Sequence, residues 1–475
     1  MGSTAYDTAW VARLGELDWA LSSQALNWLS ENQLPDGSWG AEKPIYYHDR
    51  VICTLAAMIA LTHRGRRARD RQQINSGLEA LERIINGATK GLQADPNGAT
   101  IGFEMIIPTL VHEAQNLGII KQQGKSILKR LGQQRAKKLE KIQGQMISKY
   151  TTMAFSAEMA GSDGQHILDI PRLQEANGSI GHSPSASAYY ALYVKKQEKS
   201  AIEYLHNTIQ PDGGLPNVAP FDSFEISWSL WNLSLIPNLQ ITSEIEAFLE
   251  ILSNAWKPNL GIGFATEYSV KDSDVTSFVF DTLARFGIFK DIDSIFAYEE
   301  EEYFRCYPLE ANPSISANIH VLGALRQVGL EKHNPKVNKI LNFLAKVKGS
   351  SPFWIDKWHS SPYYTTAHAI IACAGYLDDF IEDSVEWLLS TQYANGAWGT
   401  YIPTAEETAY AIQALWVWNE MSCKIDTKCI KNGAVWLEEN LDNPYPPLWI
   451  GKCLYNPNHV VQSAVISALH LAKEL

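Results

Sequence analysis

A short punctuation pattern recurs near the two ends of this chain and limits its fold more than any other feature. Trp28-Leu29-Ser30-Glu31-Asn32-Gln33 runs into Pro35-Asp36-Gly37-Ser38-Trp39-Gly40, and Trp387-Leu388-Leu389-Ser390-Thr391-Gln392 runs into Asn395-Gly396-Ala397-Trp398-Gly399. Weaker copies lie at Gln174–Gly181 and Gln210–Leu215. Each copy reads as a helix end followed by a Gly turn. The Gln amide is placed to cap backbone groups left open there, and the two aromatics are expected to stack across the turn. Repeated helix–turn units imply a closed helical array, either a solenoid or a barrel of paired helices. The segments between agree: Val279, Leu283 and Phe286 recur at i, i+4, i+7, and Ala405, Ala409, Ile412 and Trp416 form one stripe. Strict strand alternation is scarce, so the expected fold class is all-α.

Composition narrows the function. At 475 residues the chain has room for two or three domains. It is 45% apolar and 19% charged, which excludes a disordered chain, and no apolar run approaches the ~18–20 residues of a membrane span. Met1–Leu14 has no basic stretch followed by an apolar one, so no signal peptide is expected. The six cysteines are scattered without a CxxC pair, as suits reduced thiols and a cytoplasmic protein. A net charge of −12 argues against nucleic acid as a partner. Oligomeric state is not legible, and a homodimer stays open. With 15 Trp, 20 Tyr and 15 Phe, the aromatic load asks for a chemical reason.

The Trp-Leu–x3–Gln–x3–Gly–x–Trp repeats are similar to the QW motifs of squalene–hopene cyclases and class II diterpene cyclases. Four more stretches resemble bacterial class II diterpene cyclases of the copalyl diphosphate synthase type: Ala5-Tyr6-Asp7-Thr8-Ala9-Trp10-Val11-Ala12, Gly102-Phe103-Glu104 through Pro108, Pro216-Asn217-Val218, and Asp356-Lys357-Trp358-His359 through Ala369. The likeness runs from Ala5 to about Ala468. It implies two α-barrel domains, with γ (22–220) inserted into β (1–21 and 221–475). It also implies a linear prenyl diphosphate substrate, usually geranylgeranyl diphosphate, cyclised with its diphosphate retained and with Mg2+ helping to hold that group.

Protonating an unactivated alkene needs a carboxylic acid that is kept protonated, dry and aimed. A second carboxylate close by raises the first one's pKa. The family's DxDD acid motif aligns with Asp272-Ser273-Asp274-Val275, which puts the proton donor at Asp274 and its partner at Asp272. Val275 replaces the last Asp; an apolar neighbour there is expected to desolvate Asp274 and favour its neutral form. Against that, both carboxyls precede a helix, whose N-terminus favours carboxylates.

The resemblance further implies that Asn318 orients the acid or its water, and that Asn217 belongs to the group that takes up the final proton. The His expected beside Asn217 is replaced by Phe155, which leaves the product skeleton open. Ring faces that stabilise a passing cation are sought in Trp256, Phe264, Phe278, Trp358, Tyr363 and Tyr364. His359 and His368 read as hydrogen-bonded framework. Nine Lys/Arg and a single acid, Glu140, lie between Lys121 and Lys149; Lys137, Lys138 and Lys141 are the diphosphate candidates. Glu175 is the Mg2+-associated acid. Asp378–Asp383 mimics a metal-binding DDxxD but reads as the acidic start of a helix.

The implied activity is protonation-initiated cyclisation of geranylgeranyl diphosphate to a bicyclic labdane- or halimane-type diphosphate. The same acid acting on farnesyl diphosphate or a prenylated aromatic acid is an alternative. A non-catalytic prenyl-binding barrel is another, against which the retained Asp272 and Asp274 speak.

Overall fold

The computed structural model describes the 475-residue chain apart from residues 66, 86–90, 96, 122–124, 143, 309 and 311, and apart from the side chains of 125–127 and 141–142. It divides into two compact units. One comprises Met1–Pro220 with Tyr268–Val270 and Pro447–Asn456; the other comprises Phe221–Glu267, Lys271–Pro446 and Pro457–Leu475. Among the described residues no helix is long and apolar enough to cross a membrane.

The first unit contains α1 (Ala5–Ala12), α2 (Trp19–Glu31), α3 (Tyr47–Arg64), α4 (Ala68–Ile85), α5 (Phe103–Asn116), α6 (Lys125–Ile142), α7 (Pro184–Tyr189) and α8 (Lys199–Thr208). A tight helical stretch, Thr152–Ala160, and the two-stranded antiparallel hairpin β1 (Trp449–Ile450) and β2 (Leu454–Tyr455) complete it. Helices α1, α3 and α5, the stretch 152–160 and α7 pack one on the next, and α7 returns to α1, which closes a ring. Helices α2, α4, α6 and α8 lie against this ring from outside. The first helix therefore belongs with the residues that follow it. Every residue of α1 is buried, and the helix packs on α2, α3 and α7. That corrects the expected allotment of 1–21 to the same domain as 221–475.

The second unit is a larger version of the same idea. Its helices are α9 (Asp222–Ser234), α10 (Ser243–Ala255), α11 (Ser273–Arg285), α12 (Asp293–Phe296), α13 (Ile315–Gln327), α14 (Pro335–Lys348), α15 (Pro362–Cys373), α16 (Asp378–Ser390), α17 (Ala405–Met421), α18 (Lys428–Glu439) and α19 (Asn458–Lys473). The six inner helices α9, α11, α13, α15, α17 and α19 pack in that order and close from α19 back to α9, with the others outside. Inner helices are buried nearly all round, as in α15, whose twelve residues are all buried. Outer helices keep only a stripe, as in α16, where Ile381, Ser384, Val385 and Leu388 are buried.

The repeated motif is the joint between layers. In the two strong copies the Gln amide donates to the turn glycine and to the next outer helix: Gln33 to the carbonyls of Gly37 and Gln73, Gln392 to those of Gly396 and Cys429. The second Trp is not stacked on the first, as the sequence had suggested. Its indole N–H donates back to the outer helix, Trp39 to Leu29 O and Trp398 to Leu388 O, both at 2.8 Å. Gly37 and Gly396 adopt φ of +87° and +92°, and a Cβ at either would meet a carbonyl oxygen at 2.5 Å. Only glycine turns this corner. Trp354, whose indole donates to Leu344 O at 3.0 Å, makes the same joint without the motif.

Candidate active site

Asp272 is the N-cap of α11, with φ −140° and ψ 156°, and its Oδ1 accepts from Val275 N at 2.8 Å. Asp274 stands in the first turn and reaches across to α13, where its Oδ1 lies 2.5 Å from Nδ1 of His320. His320 Nε2 lies 3.0 Å from Nδ1 of His368 on α15. Three adjacent inner helices thus supply an Asp–His–His chain. Burial, followed by the charge of Asp274, pushes Asp272 up to about 8. Asp272 is thus a carboxyl raised by burial and by the neighbouring charge. Burial also pulls His368 well below its usual range, helped by the nearby His320 and His359, so the ring is neutral.

Aromatic rings brace this chain. Phe264 and Phe221 (5.7 Å between ring centres), Phe221 and Phe224 (4.3 Å), Phe224 and Trp228 (4.0 Å) and Trp228 and Phe278 (3.8 Å) form a ladder. Phe278 then meets the edge of His320 at 4.6 Å. His368 stacks on Trp231 at 4.8 Å and lies against the tilted ring of Tyr364 at 4.4 Å. The Trp228 indole donates to the Tyr364 hydroxyl at 3.0 Å. Packed rings hold the histidines' orientation beside the half-buried Asp272 and Asp274.

Such a carboxyl pair, tied to a histidine and walled by rings inside an α-barrel, can be compared with known proteins. A family model described as the squalene–hopene cyclase C-terminal domain matches residues 308–443. A type B diterpene cyclase of Mycobacterium tuberculosis (strain ATCC 25618 / H37Rv) is 47% identical over 482 aligned residues, spanning 100% of this chain and 96% of that protein. The chain belongs to the class II diterpene cyclases. An ent-copalyl diphosphate synthase of a Streptomyces species (strain KO-3988) is 28% identical over 95% of this cyclase and 89% of its own length. The solved ent-copalyl diphosphate synthase from Streptomyces platensis superposes with a TM-score of 0.80 at 26% identity, over 99% and 95% of the two chains.

Other expected site residues of this cyclase fall into three groups. Phe278 and Tyr364 adjoin the His320–His368 pair, but as packed braces with no open face. Trp358 and Phe264 are half-buried; Trp358 donates to Ser314 Oγ at the N-cap of α13, where the Lys357 ammonium lies 4.9 Å from its ring. Three expected residues are not at the acid. Asn318 is a backbone clip: it accepts from Phe304 N at 2.8 Å and donates to the carbonyls of Phe304 and Ser314. Trp256 donates to Asp291 Oδ1 at 2.7 Å. Tyr363 stacks on Trp387 of the outer helix α16 at 4.7 Å. His320, two positions on from Asn318 along α13, faces about 200° away and makes the contact with Asp274. Phe221, Phe224, Trp228 and Trp231 recur at i, i+3, i+7 and i+10, a helical stripe legible in the sequence but outside the family motifs.

The first barrel holds the rest. Asn217 donates to Asp7 Oδ2 at 3.0 Å and to Cys453 Sγ at 3.5 Å. Phe155, where a His was expected, lies with its ring 4.4 Å from the ammonium of Lys452. Lys452 and Glu158 are both fully buried and pair at 2.7 Å, with Ser183 and Ser185 completing the ammonium's shell. Lys138 pairs with Glu104, Lys137 is exposed, and the side chain of Lys141 lies outside the described residues. The two oxygens of Glu175 accept from the backbone N–H and the hydroxyl of Ser269, at 3.4 and 2.6 Å. Asp378 accepts from Gly375 N and Ser422 Oγ at the start of α16, and Asp383 pairs with Lys348, as suits a helix end.

Proposed function

We propose that this cyclase protonates the terminal alkene of geranylgeranyl diphosphate and folds it into a bicyclic diterpenyl diphosphate with the diphosphate retained. The observation that carries the reading is the 2.5 Å contact of Asp274 with His320 beside the raised carboxyl of Asp272. The full-length likeness to a named diterpene cyclase supports the twenty-carbon class of substrate.

In this reading the Asp274 O–H bond breaks as the terminal C=C takes the proton. The π electrons then close two rings in turn, and water takes the final proton from a C–H bond whose electrons form the product's C=C. The Asp272/Asp274 pair shares its protons, so the raised carboxyl holds the reserve at neutral pH. The contact between Asp274 and His320 needs one hydrogen, and so does that between His320 and neutral His368. A proton leaving Asp274 and one returning through His320 therefore occupy the same contact in turn. His320 is a positioning residue that presents the acid and restores it. The half-buried rings of Phe221, Phe264 and Trp358 are the aromatic candidates for stabilising a passing cation.

The test is incubation with farnesyl, geranylgeranyl and geranylfarnesyl diphosphates, with mass spectrometry before and after phosphatase. A cyclised twenty-carbon product released only by phosphatase is expected. A hydrocarbon extractable directly, or preferred turnover of another chain length, overturns the proposal.

A further inference from the structure

In the first barrel, three potential metal-ligating side chains from two distant parts of the chain converge. Asp49 and Cys53 stand one turn apart on one face of α3, the i, i+4 spacing by which a helix offers two ligands to one ion. Cys453, 400 positions further on, lies in the turn of the β1–β2 hairpin. One oxygen of Asp49 and the two sulfurs all lie within 4.8 Å of one another, and all three residues are buried. The carboxylate is held by backbone N–H groups on both sides: Ala41 N to Oδ2 at 2.7 Å and Leu454 N to Oδ1 at 2.8 Å. Asn217 Nδ2 donates to the Cys453 sulfur at 3.5 Å. Arg50, the nearest guanidinium along the chain, is committed to Asp36, Ser38 and the carbonyls of Ala41 and Glu42. No ammonium or guanidinium among the described residues forms an ion pair with Asp49.

We propose that Asp49, Cys53 and Cys453 form a structural site for a thiophilic divalent cation of the zinc class. Two sulfurs and one carboxylate oxygen suit Zn2+ and exclude Mg2+, which takes oxygen ligands. The backbone donors to Asp49 and the amide donor to Cys453 are the outer partners that orient such ligands. Both thiols release their protons to solvent as the sulfurs bind. Because the three residues are buried, the ion enters while the barrel folds. Once bound, it pins the hairpin, and with it Lys452, to α3. This site is independent of the acid chemistry and of the substrate.

The test is elemental analysis of the full-length chain produced in zinc-supplemented medium, and absorption spectra of the same chain produced with cobalt in place of zinc. About one equivalent of metal is expected, with cobalt–thiolate bands, and both are expected to be lost in Cys453→Ser and in the near-isosteric Asp49→Asn. They are expected to persist in a Cys423→Ser/Cys429→Ser chain, which removes the less buried thiols. Helical circular dichroism of each variant separates loss of metal from loss of fold. A folded wild-type chain without stoichiometric metal, whether Cys53 and Cys453 are found as free thiols or as a disulfide, overturns the proposal. So does metal that follows Cys423 and Cys429.

Discussion

Two carboxyl groups, Glu158 in the first barrel and Asp272 in the second, are balanced in opposite ways. In the first, Glu158 meets the Lys452 ammonium at 2.7 Å with both side chains fully enclosed. A fixed countercharge leaves such a carboxylate nothing to donate and makes it part of the frame. In the second, the attraction of Lys271 for Asp272 falls short of burial and the repulsion of Asp274, and the carboxyl rises to about 8. There a proton supplies the neutrality that a lysine supplies in the other barrel, and a proton can be given away. The same closed ring of helices is thus inert or reactive according to what balances its buried acid.

Four measurements break or sharpen that contrast. Asp274→Asn is expected to lower cyclised product by about 10²–10⁴-fold, the usual worth of a positioned general acid; its far-ultraviolet circular dichroism should match the wild type. An Asn variant turning over at the normal pace removes the acid from the second barrel. Lys452→Met strands the buried Glu158 charge and is expected to cost about 3–5 kcal/mol in urea unfolding. A loss below about 1 kcal/mol would mean that the pair is not what keeps the first barrel's acid in place.

The pH profile comes next. The Asp272 carboxyl moves from 3.8 unfolded to about 8 folded, so the native state holds a proton that the unfolded chain releases. Its contribution to stability is complete below about pH 4, declines from there and is gone above about pH 8. Turnover should fall on the alkaline side of about pH 8 for the same reason. Asp272→Asn should shift that limb in kcat/KM, and an unshifted limb assigns the reserve proton elsewhere. The smallest effect is expected at Asp379→Ala, at the start of α16, where turnover should stay within about twofold.

What could be read in advance follows the range of the interactions. The Gln–Gly–Trp joints were visible because the Gln–Gly and Trp–Leu bonds of each close within about a dozen positions and demand a glycine and an indole in fixed order, although the bonds to Gln73 and Cys429 reach 40 and 37 positions on. Asp272 and Asp274 were visible for a similar reason, being two positions apart at a helix start. His320 was not. Its contact with Asp274 spans 46 positions and depends on α11 and α13 being neighbouring staves. Aromatic spacing misled in a different manner: Tyr363 and Tyr364 are adjacent in the chain, yet one stacks on the outer helix α16 and the other lies against His368. A helix turns about 100° per residue, so neighbours in one motif face different layers.

From its residues alone the chain determined that it is helical, where its layers join, and which acid motif it carries, because caps, turns and periodicity act over one or two helical turns. Tertiary structure decided that α1 closes the first ring, that Asp274 meets a histidine, and that a lysine neutralises one buried carboxylate while a proton neutralises the other. Those outcomes depend on which helices become neighbours, and burial, which sets the cost of a charge, exists only once they have.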